Sequence, residues 1–217
     1  MELIEAMKTR KSVRAFRDDP VPKEKIEEIL KCALLAPSAI NLQPWEFFVV
    51  SGEEKQRLSR RLIKAYQEKR IPCGPGNVKP LPETLLKRGQ DSFVALSTYV
   101  KQIGREFDEF INMGSCEFYG APTAIIICLD LAFSQRRFID IGIVLAYILL
   151  AVHDFGLGAC PIGLIAAYED EIKEVLNIPE NKTVVIGVAV GYPDYESPVN
   201  AFKAQRDDLD KFVRWIG

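Results

Sequence analysis

The sequence predicts a single domain that mixes α-helices with a buried β-sheet. Three short runs rich in apolar residues have the length and composition of strands, at residues 46–50, 124–129 and 183–190. Between these runs, apolar residues recur at helical spacing. The 217 residues, 48% of them hydrophobic, are enough for one domain with a real core.

Helical periodicity, bounded by capping residues and prolines, predicts six helical regions. They lie at residues 2–10, from Pro22 to Pro37, after Ser51, from the end of the 71–82 segment to about Phe110, at 138–152 and at 169–176. The 71–82 segment contains four prolines and two glycines, so it is predicted as a long loop. Residues 11–16 are predicted to be extended.

Two apolar segments need partners. Residues 138–152 are apolar around almost the whole helix circumference but are too short to span a bilayer, which predicts a fully buried helix or a subunit-interface helix. The C-terminal tail carries Phe212, Val213, Trp215 and Ile216. These side chains must dock either on their own domain or on a neighbouring subunit.

Composition argues against several classes of protein. A net charge of −2 indicates neither a nucleic-acid nor an anionic-membrane partner. The first residues lack the pattern of a secretory signal, and no apolar run reaches the length of a membrane span. The five cysteines are scattered and contain no C-x-x-C pair, so we expect neither zinc nor disulfides, and a cytoplasmic location.

The first candidate site is the stretch A-P-S-A-I-N-L-Q-P-W, residues 36–45. Its two prolines restrict the backbone, and Asn41 and Gln43 both offer donors and an acceptor. On an extended chain these two amides would lie on one side, suited to the edge of a flat heterocycle. The alternative is an ordinary connection between a helix and a strand.

The second candidate is the basic run Arg10-Lys11-Ser12-Val13-Arg14. In an extended chain Arg10, Ser12 and Arg14 lie on one side, and two guanidinium groups with a hydroxyl suit a dianion such as phosphate. The alternative is a solvated cluster at a helix C-terminus. Lys203 and Arg206 would join the same anion or are surface charges.

The third candidate is the glycine-rich run 156–163, G-L-G-A-C-P-I-G. It follows a helix rather than a strand, so it is not a dinucleotide-binding fingerprint. It would let the backbone approach a ligand, or it is a helix cap at Gly156 followed by a strand. His153 is the only histidine, and the chain has no Walker A loop. These observations favour chemistry done by a bound organic cofactor.

In order along the chain, R-K-S-V-R-A-F, A-P-S-A-I-N-L-Q-P-W-E-F, G-L-G-A-C-P-I-G and K-A-Q-R resemble the FMN-dependent nitroreductase family. The resemblance runs from Met7 to about Val213 and is absent from about 65 to 119. It implies an α+β fold, a three-layer α-β-α sandwich with a mixed, mainly antiparallel sheet. It also implies an intertwined homodimer of one domain, 1–217, with a variable substrate-side insertion at 65–119 and a dimer-embracing tail at 196–217.

The resemblance implies an FMN site at the dimer interface. The phosphate and ribityl chain would be held by Arg10, Lys11, Ser12, Arg14, Lys203 and Arg206. The partner subunit would line the flavin with Pro37, Ser38, Ala39, Asn41 and Gln43, and the isoalloxazine would lie against Pro161, Ile162 and Gly163. Two positions depart from the family pattern, since Ala39 replaces a frequent serine and Ile162 a frequent glutamate.

The implied activity is ping-pong transfer of two electrons from NADH or NADPH to a small electron-poor acceptor, such as a nitroaromatic, a quinone or an activated alkene. Substrate-side candidates are Tyr99, Phe107, Phe110, Phe118 and Tyr119, each of which would alternatively be a core residue. Lys101 and Arg105 would attract a carboxylated acceptor or form a solvated face.

Two alternatives stay open. The first is reductive dehalogenation of halogenated phenols, for which Tyr66, Glu68 and Lys69 resemble the lid residues of that branch in type but not in spacing. The second is a sensor or storage protein that holds FMN without turnover.

Overall fold

The computed structural model describes residues 1–217. Seven α-helices are present: α1 (Leu3–Thr9), α2 (Lys23–Ala33), α3 (Gly52–Lys69), α4 (Glu83–Gln102), α5 (Phe107–Cys116), α6 (Phe138–Asp154) and α7 (Glu169–Leu176). Four strands form one sheet: β1 (Trp45–Ser51), β2 (Thr123–Asp130), β3 (Gly158–Ile162) and β4 (Lys182–Gly191). The three predicted strands are confirmed. The run 156–163 adopts the alternative of a helix cap at Gly156 followed by a strand, which is β3.

The sheet has the order β1-β2-β4-β3, and all three strand pairings are antiparallel. A parallel bridge between Ser12 and Ala159 adds the extended segment after α1 beside β3. The interior strand β2 is buried along its length, as its unbroken apolar run predicts. The mainly antiparallel sheet with mixed character is therefore confirmed.

Helices cover both faces of the sheet because successive side chains of a strand point to opposite faces. On β2, Ala124, Ile126 and Cys128 belong to a core shared with α3, α5 and α7. Ile125 and Ile127, with Leu129, belong to a second core shared with α2 and α6. This arrangement is the three-layer α-β-α sandwich that the family resemblance implies.

A third, smaller apolar cluster lies beside the sandwich. It joins α4 and α5 to the C-terminal segment through Leu96, Val100, Phe110, Ile111, Val199 and Phe202. The helical region predicted to run to Phe110 is broken into α4 and α5 at Gly104, whose φ of +68° is readily adopted by glycine.

Helix α2 is shorter than its periodicity predicts. Pro22 is the N-cap rather than the first helical residue, and the helix ends at Ala33 with Leu34 as C-cap. Leu34 is consequently 48% exposed instead of lying on the buried face. The chain leaves the helix before Pro37 because a residue preceding proline avoids the α conformation.

Helix α6 is buried on one face only. Ile141, Val144 and Ile148 pack on the sheet, whereas Ile139 and Tyr147 are exposed. Full burial within the chain is therefore wrong, because a single sheet covers only one side of the helix. The C-terminal tail is also uncovered, with Trp215 89% exposed.

None of the helices combines the length and apolarity that crossing a bilayer requires.

Candidate functional site

A cavity of about 430 Å³ opens where the segment after α1, the end of β3, the C-terminal segment and helices α4 and α5 meet. Its volume falls in the ordinary range of small-molecule sites. The structure brings ten residues of the sequence-predicted sets to its wall: Arg10, Lys11, Ser12, Arg14, Tyr119, Pro161, Ile162, Gly163, Lys203 and Arg206.

The charge of this wall has one sign. Its basic residues are Lys8, Arg10, Lys11, Arg14, Lys203 and Arg206, and its 22 residues include no aspartate or glutamate. None of the six basic side chains forms an ion pair elsewhere in the chain. A cavity lined by several cationic side chains without acidic partners suits an anionic ligand.

Arg10 and Arg206 are close enough to repel each other. The pKa of Arg10 is lowered, first by burial and then by the neighbouring charge of Arg206. Arg206 donates from Nη1 to the carbonyls of Ala204 and Gln205, both at 3.0 Å, which fixes its guanidinium on the C-terminal segment. An anion bound between the two arginines would remove the repulsion.

Asn200 ties the two basic segments together and is only 2% exposed. The backbone N–H of Arg14 donates to its Oδ1 at 2.8 Å, and its Nδ2 donates to the carbonyls of Ala15 at 2.7 Å and Asp194 at 2.8 Å. Lys11 Nζ donates to the Asn200 carbonyl. Sequence reasoning missed Asn200, and no local signal marks it, because all these partners except Asp194 lie far away in the chain.

Arg14 lies over an aromatic ring at the inner end of the cavity. Its Cζ is 6.0 Å from the centroid of Tyr119, a cation–π arrangement. Its Nε is buried and has no hydrogen-bond partner. A buried donor without a partner is costly, and here it marks a place where a ligand acceptor would fit.

Burial raises the pKa of Tyr119 to about 12, against the weaker opposing effects of Arg14 and Ser115. The hydroxyl of Tyr119 lies 3.3 Å from Ser115 Oγ. The phenol therefore stays protonated at neutral pH and is a hydrogen-bonding group rather than a base.

The backbone around Tyr119 is strained. Phe118, Tyr119 and Gly120 have φ values of +56°, +52° and +78°. A bulky side chain in the left-handed region costs about 1–2 kcal/mol, and two such residues stand here in succession. Helix α5 also makes room, because a Cβ on Gly114 would lie 2.8 Å from Tyr119 ring atoms. Backbone and helix are both shaped around this ring.

Two thiols face the same part of the cavity. Burial raises the pKa of Cys73 and of Cys160, while the charge of Arg14 opposes the rise at both. The backbone N–H of Cys73 donates to Asn112 Oδ1 at 2.7 Å, which fastens the proline-rich loop to α5. Sequence reasoning assigned no role to either cysteine.

The other predicted substrate-side aromatics do not line this cavity. Phe118 is 0% exposed in the first core, and Phe110 packs on Tyr119 at 5.5 Å within the third cluster. Tyr99 meets Phe202 edge-on at 6.0 Å. Phe107 packs on Phe93 at 5.5 Å.

Four of the apolar residues on the wall were missed by sequence reasoning: Phe93, Leu96, Ile111 and Phe202. The first three lie on α4 and α5, and only the packing of these two helices decides which of their side chains border the cavity. Lys101 and Arg105 also lie outside the wall, and Arg105 lies over Phe110 and pairs with Glu109 at 3.6 Å.

The 36–45 stretch lies away from the cavity of its own chain. Pro37, Ser38, Ala39, Asn41 and Gln43 are all absent from the cavity wall. The stretch is nevertheless ordered by its own contacts, since the Gln43 N–H donates to Ser38 Oγ at 2.9 Å. Its Ala39 N–H lies 3.4 Å from Asp140 Oδ1 on α6, so it borders the open face of that helix.

The other chemically interesting side chains are engaged elsewhere. Lys69 pairs with buried Glu171 at 2.7 Å, and Tyr66 lies under Arg70. His153 bonds to Thr9 Oγ1 at 2.8 Å at the end of α6. None of these residues, nor Glu68, lines the 430 Å³ cavity.

The chain is similar to known proteins along almost its whole length. The model of the nitroreductase family matches residues 7–192. Nitroreductase NfnB of Mycolicibacterium smegmatis is 31% identical over 96% of this chain and 90% of its own length. A 4-nitrobenzoate reductase of Pseudomonas putida is 30% identical over 96% of this chain and 93% of its own.

Among solved structures, the FMN-dependent nitroreductase NfnB from Mycobacterium smegmatis, in complex with NADPH, superposes with a TM-score of 0.90. The two chains are 30% identical, and the superposition covers 100% of this chain and 99% of the NfnB chain. Family model, relatives and fold agree over almost the whole length, so this chain belongs to the nitroreductase family.

Proposed function

We propose that this protein is an FMN-dependent oxidoreductase that transfers two electrons from NAD(P)H to an electron-poor acceptor such as a nitroaromatic, by a ping-pong mechanism. The observation that carries the proposal is the cavity wall with six basic side chains, no carboxylate and no internal ion pairs. The names of the relatives, nitroreductase and 4-nitrobenzoate reductase, support the activity.

The residues of the cavity fit FMN. Its phosphate would lie at Arg10 and Arg206, with Ser12, Lys11 and Lys203 beside them, because arginine pairs bind phosphate through parallel hydrogen bonds. The unpartnered Nε of Arg14 would serve a ribityl or ring oxygen. Pro161, Ile162 and Gly163 would lie against the ring system and offer main-chain groups to it.

When bound, FMN supplies hydride chemistry at its N5 atom. The residues of this chain bind and orient. The cationic wall would stabilise negative charge on the reduced ring system. Phe93, Leu96 and Ile111 form an apolar wall suited to a flat acceptor.

We also propose a homodimer in which each subunit completes the site of the other. The open face of α6, the adjacent 36–45 stretch and the exposed end of the 196–217 tail, which carries Phe212, Trp215 and Ile216, supply apolar surface for it. In that assembly Pro37, Ser38, Ala39, Asn41 and Gln43 would line the flavin of the partner subunit. The segment 65–119 would form the substrate side, and Tyr119 is the one residue of the predicted substrate-side set that lies on the cavity wall.

The donor would be NADH or NADPH, and the structure of a relative in complex with NADPH supports the second. The cytoplasm is the proposed location, in keeping with the free thiols Cys73 and Cys160 in the cavity wall. Dehalogenation is not favoured, since Tyr66, Glu68 and Lys69 lie outside the cavity. No observation favours a storage role.

The test is an FMN titration of the purified chain, followed by anaerobic addition of NADH and then NADPH, and finally of 4-nitrobenzoate. We expect FMN to bind, its oxidised absorbance to bleach with one donor, and the acceptor to restore it. A bound flavin that neither donor bleaches would overturn the oxidoreductase and favour a storage role. Failure to bind FMN would overturn the proposal entirely.

Two variants locate the site. Arg206→Met removes a cavity cation, and we expect the Kd for FMN to rise about 10- to 100-fold because a charge-assisted hydrogen bond is lost. Arg60→Met is the matched control, because Arg60 is exposed on α3 and lies outside the cavity. Equal Kd values for both variants would contradict the phosphate assignment.

A further inference from the structure

Arg14 differs from the other cations of the cavity. It is the one of the six that lies over an aromatic ring, that of Tyr119, at 6.0 Å. Its backbone is fixed by Asn200 at 2.8 Å, while its Nε is buried and unpartnered. A hydrogen bond thus holds the backbone of Arg14, the guanidinium lies over a ring, and the Nε–H has no partner within the chain.

We propose that Tyr119 is a positioning residue that acts through Arg14, its ring holding the guanidinium so that the free Nε–H is kept for the bound flavin. The inference rests on the proposed function, because the flavin is the group that Arg14 would serve. It assigns to Tyr119 a role in cofactor electrostatics rather than in contact with the acceptor.

The ring has little freedom to move. Phe110 packs on it at 5.5 Å with the two ring planes at 46°. Gly114 lies so close that even a Cβ there would be 2.8 Å from two ring atoms. Phe118 and Tyr119 both adopt left-handed backbone conformations at this point. Such strain persists where the surrounding structure enforces it, and it clusters at functional sites.

We assign the positioning role to the ring of Tyr119, although its hydroxyl also lies near Arg14, which opposes the rise in the pKa of the phenol. The hydroxyl is already within 3.3 Å of Ser115 Oγ in the cavity wall. The guanidinium lies over the ring, where cation–π attraction restricts its position. Removal of the hydroxyl alone should therefore disturb Arg14 less than removal of the whole ring, which should release it.

A fixed positive charge stabilises the anionic reduced flavin more than the neutral oxidised flavin. Release of Arg14 should therefore lower the midpoint potential of bound FMN. We expect Tyr119→Leu to reduce the ratio of reduced to oxidised FMN affinities about tenfold, equivalent to about 30 mV for a two-electron couple. Tyr119→Phe keeps the ring and should shift the potential clearly less than Tyr119→Leu does.

The experiment measures the Kd for oxidised FMN and the midpoint potential of the bound flavin in the full-length protein. The variants are Tyr119→Phe, Tyr119→Leu, Arg14→Met and the double variant Arg14→Met/Tyr119→Leu. We expect Tyr119→Leu to lower the potential in the wild-type background and to add nothing once Arg14 is gone. Such non-additivity separates action through Arg14 from a general structural effect.

Gly114→Ala provides a second way to move the ring and covers the case in which Tyr119→Leu does not fold. Its added methyl group displaces the ring but suits a helix. We expect the same fall in potential, again absent when Arg14 is methionine.

Three results would overturn the inference while the proposed function stands. One is a wild-type potential in both Tyr119→Leu and Gly114→Ala. Another is a full effect of Tyr119→Leu in the Arg14→Met background. The third is a Tyr119→Phe shift as large as that of Tyr119→Leu. Failure of the wild-type protein to bind FMN would overturn the proposed function and the inference with it.

Discussion

The sheet core and the cavity wall are stabilised in opposite ways. In the core, Ile125, Ile126 and Ile127 of β2 are fully buried among apolar neighbours on the two faces of the sheet. In the wall, Arg10 and Arg206 lie close enough for their charges to repel, without an ion pair. Apolar burial stabilises the first region whatever is bound, whereas the second becomes favourable when an anion enters.

In this fold, the residues that stabilise the core are different from the residues that would bind a ligand. The core needs only apolar side chains of suitable volume. The wall concentrates like charges, a strained aromatic turn and an unpartnered guanidinium donor, all of which cost stability in the free protein. A single side chain, Asn200, holds the basic segments together. Mutations in the two regions should therefore have different signatures.

The largest effect is expected at Asn200, whose side chain both stabilises the fold and positions the basic segments of the cavity wall. Asn200→Leu removes the partners of the partly buried Arg14 N–H and Asp194 carbonyl, while the Ala15 carbonyl keeps its bond from the Asp194 N–H at 3.1 Å. We expect the free energy of unfolding to fall by about 3–4 kcal/mol, since each orphaned group costs about 1–3 kcal/mol before relaxation. FMN affinity should fall as well. Urea denaturation and FMN titration measure both.

The matched control is Asn77→Leu, because Asn77 is exposed and bonds only to the nearby Lys79 carbonyl at 2.7 Å. It should leave stability and FMN affinity unchanged. If Asn200→Leu lost stability but bound FMN as tightly as the wild-type protein, its role in positioning the basic segments would be refuted.

A smaller loss is expected from Val188→Ala in β4. Val188 is fully buried in the second core, and the truncation leaves a small cavity. We expect about 2–3 kcal/mol of lost stability from the lost methyl groups and the cavity. Because the wall is untouched, the Kd for FMN of the folded variant should stay within about twofold of wild type, as measured by titration below the unfolding transition.

Val78→Ala makes the same chemical change at a side chain that is 97% exposed and should have no measurable effect. A weakened FMN affinity in Val188→Ala, with the fold intact, would show that core and wall are coupled after all.

The smallest effect concerns the one carboxylate buried between α7 and α3. Glu171 pairs with Lys69 at 2.7 Å and Arg61 at 3.7 Å. Burial acts to raise its pKa, but the bond to Lys69 and the two cations outweigh burial, so the pKa lies below its ordinary value of 4.5. Folding therefore gains stability from the ionised group above about pH 4.5 and loses that gain as the pH falls through the native pKa.

We expect Glu171→Gln to lower stability by about 1 kcal/mol at pH 7, because its cationic partners still reach water. The difference from wild type should shrink below pH 4.5, which thermal unfolding at pH 7, 4.5 and 3.5 would measure. Glu174→Gln, at an exposed partner of Arg61, is the control with no expected effect. A difference that grows at low pH would contradict the assigned direction.

Much of the fold could be predicted from local patterns. The segment 169–176 is helical over the predicted residues, and β2 and β4 extend their predicted strands by one residue or so at each end. The predictions failed where contacts between distant segments decide which side chains are buried. Residues 138–152 are apolar all round, yet the single sheet buries one face of α6. Phe118, a candidate for the substrate side, lies in the core because its left-handed backbone turns it inward.

Some residues of the candidate site could likewise be predicted from local patterns, and others could not. The basic run at 10–14 could be chosen as a candidate from residue type and spacing, because the chemistry of phosphate recognition is local, whereas Arg206 was added by the family resemblance. Asn200 could not, since the bond from the Arg14 N–H to its side chain joins positions 186 residues apart. Phe93 and Leu96 had the spacing of core residues, and their place on the wall depends on how α4 meets α5.

The sequence by itself determined the periodicities, the breaks at glycine and proline, and the kinds of charge available for binding. These properties depend on neighbouring residues and on backbone sterics alone. Only the tertiary structure decided which cations share one cavity, which aromatic ring lies beneath Arg14, and which apolar faces stay open. Such outcomes depend on contacts between distant segments, where burial and long-range hydrogen bonds outweigh local preference.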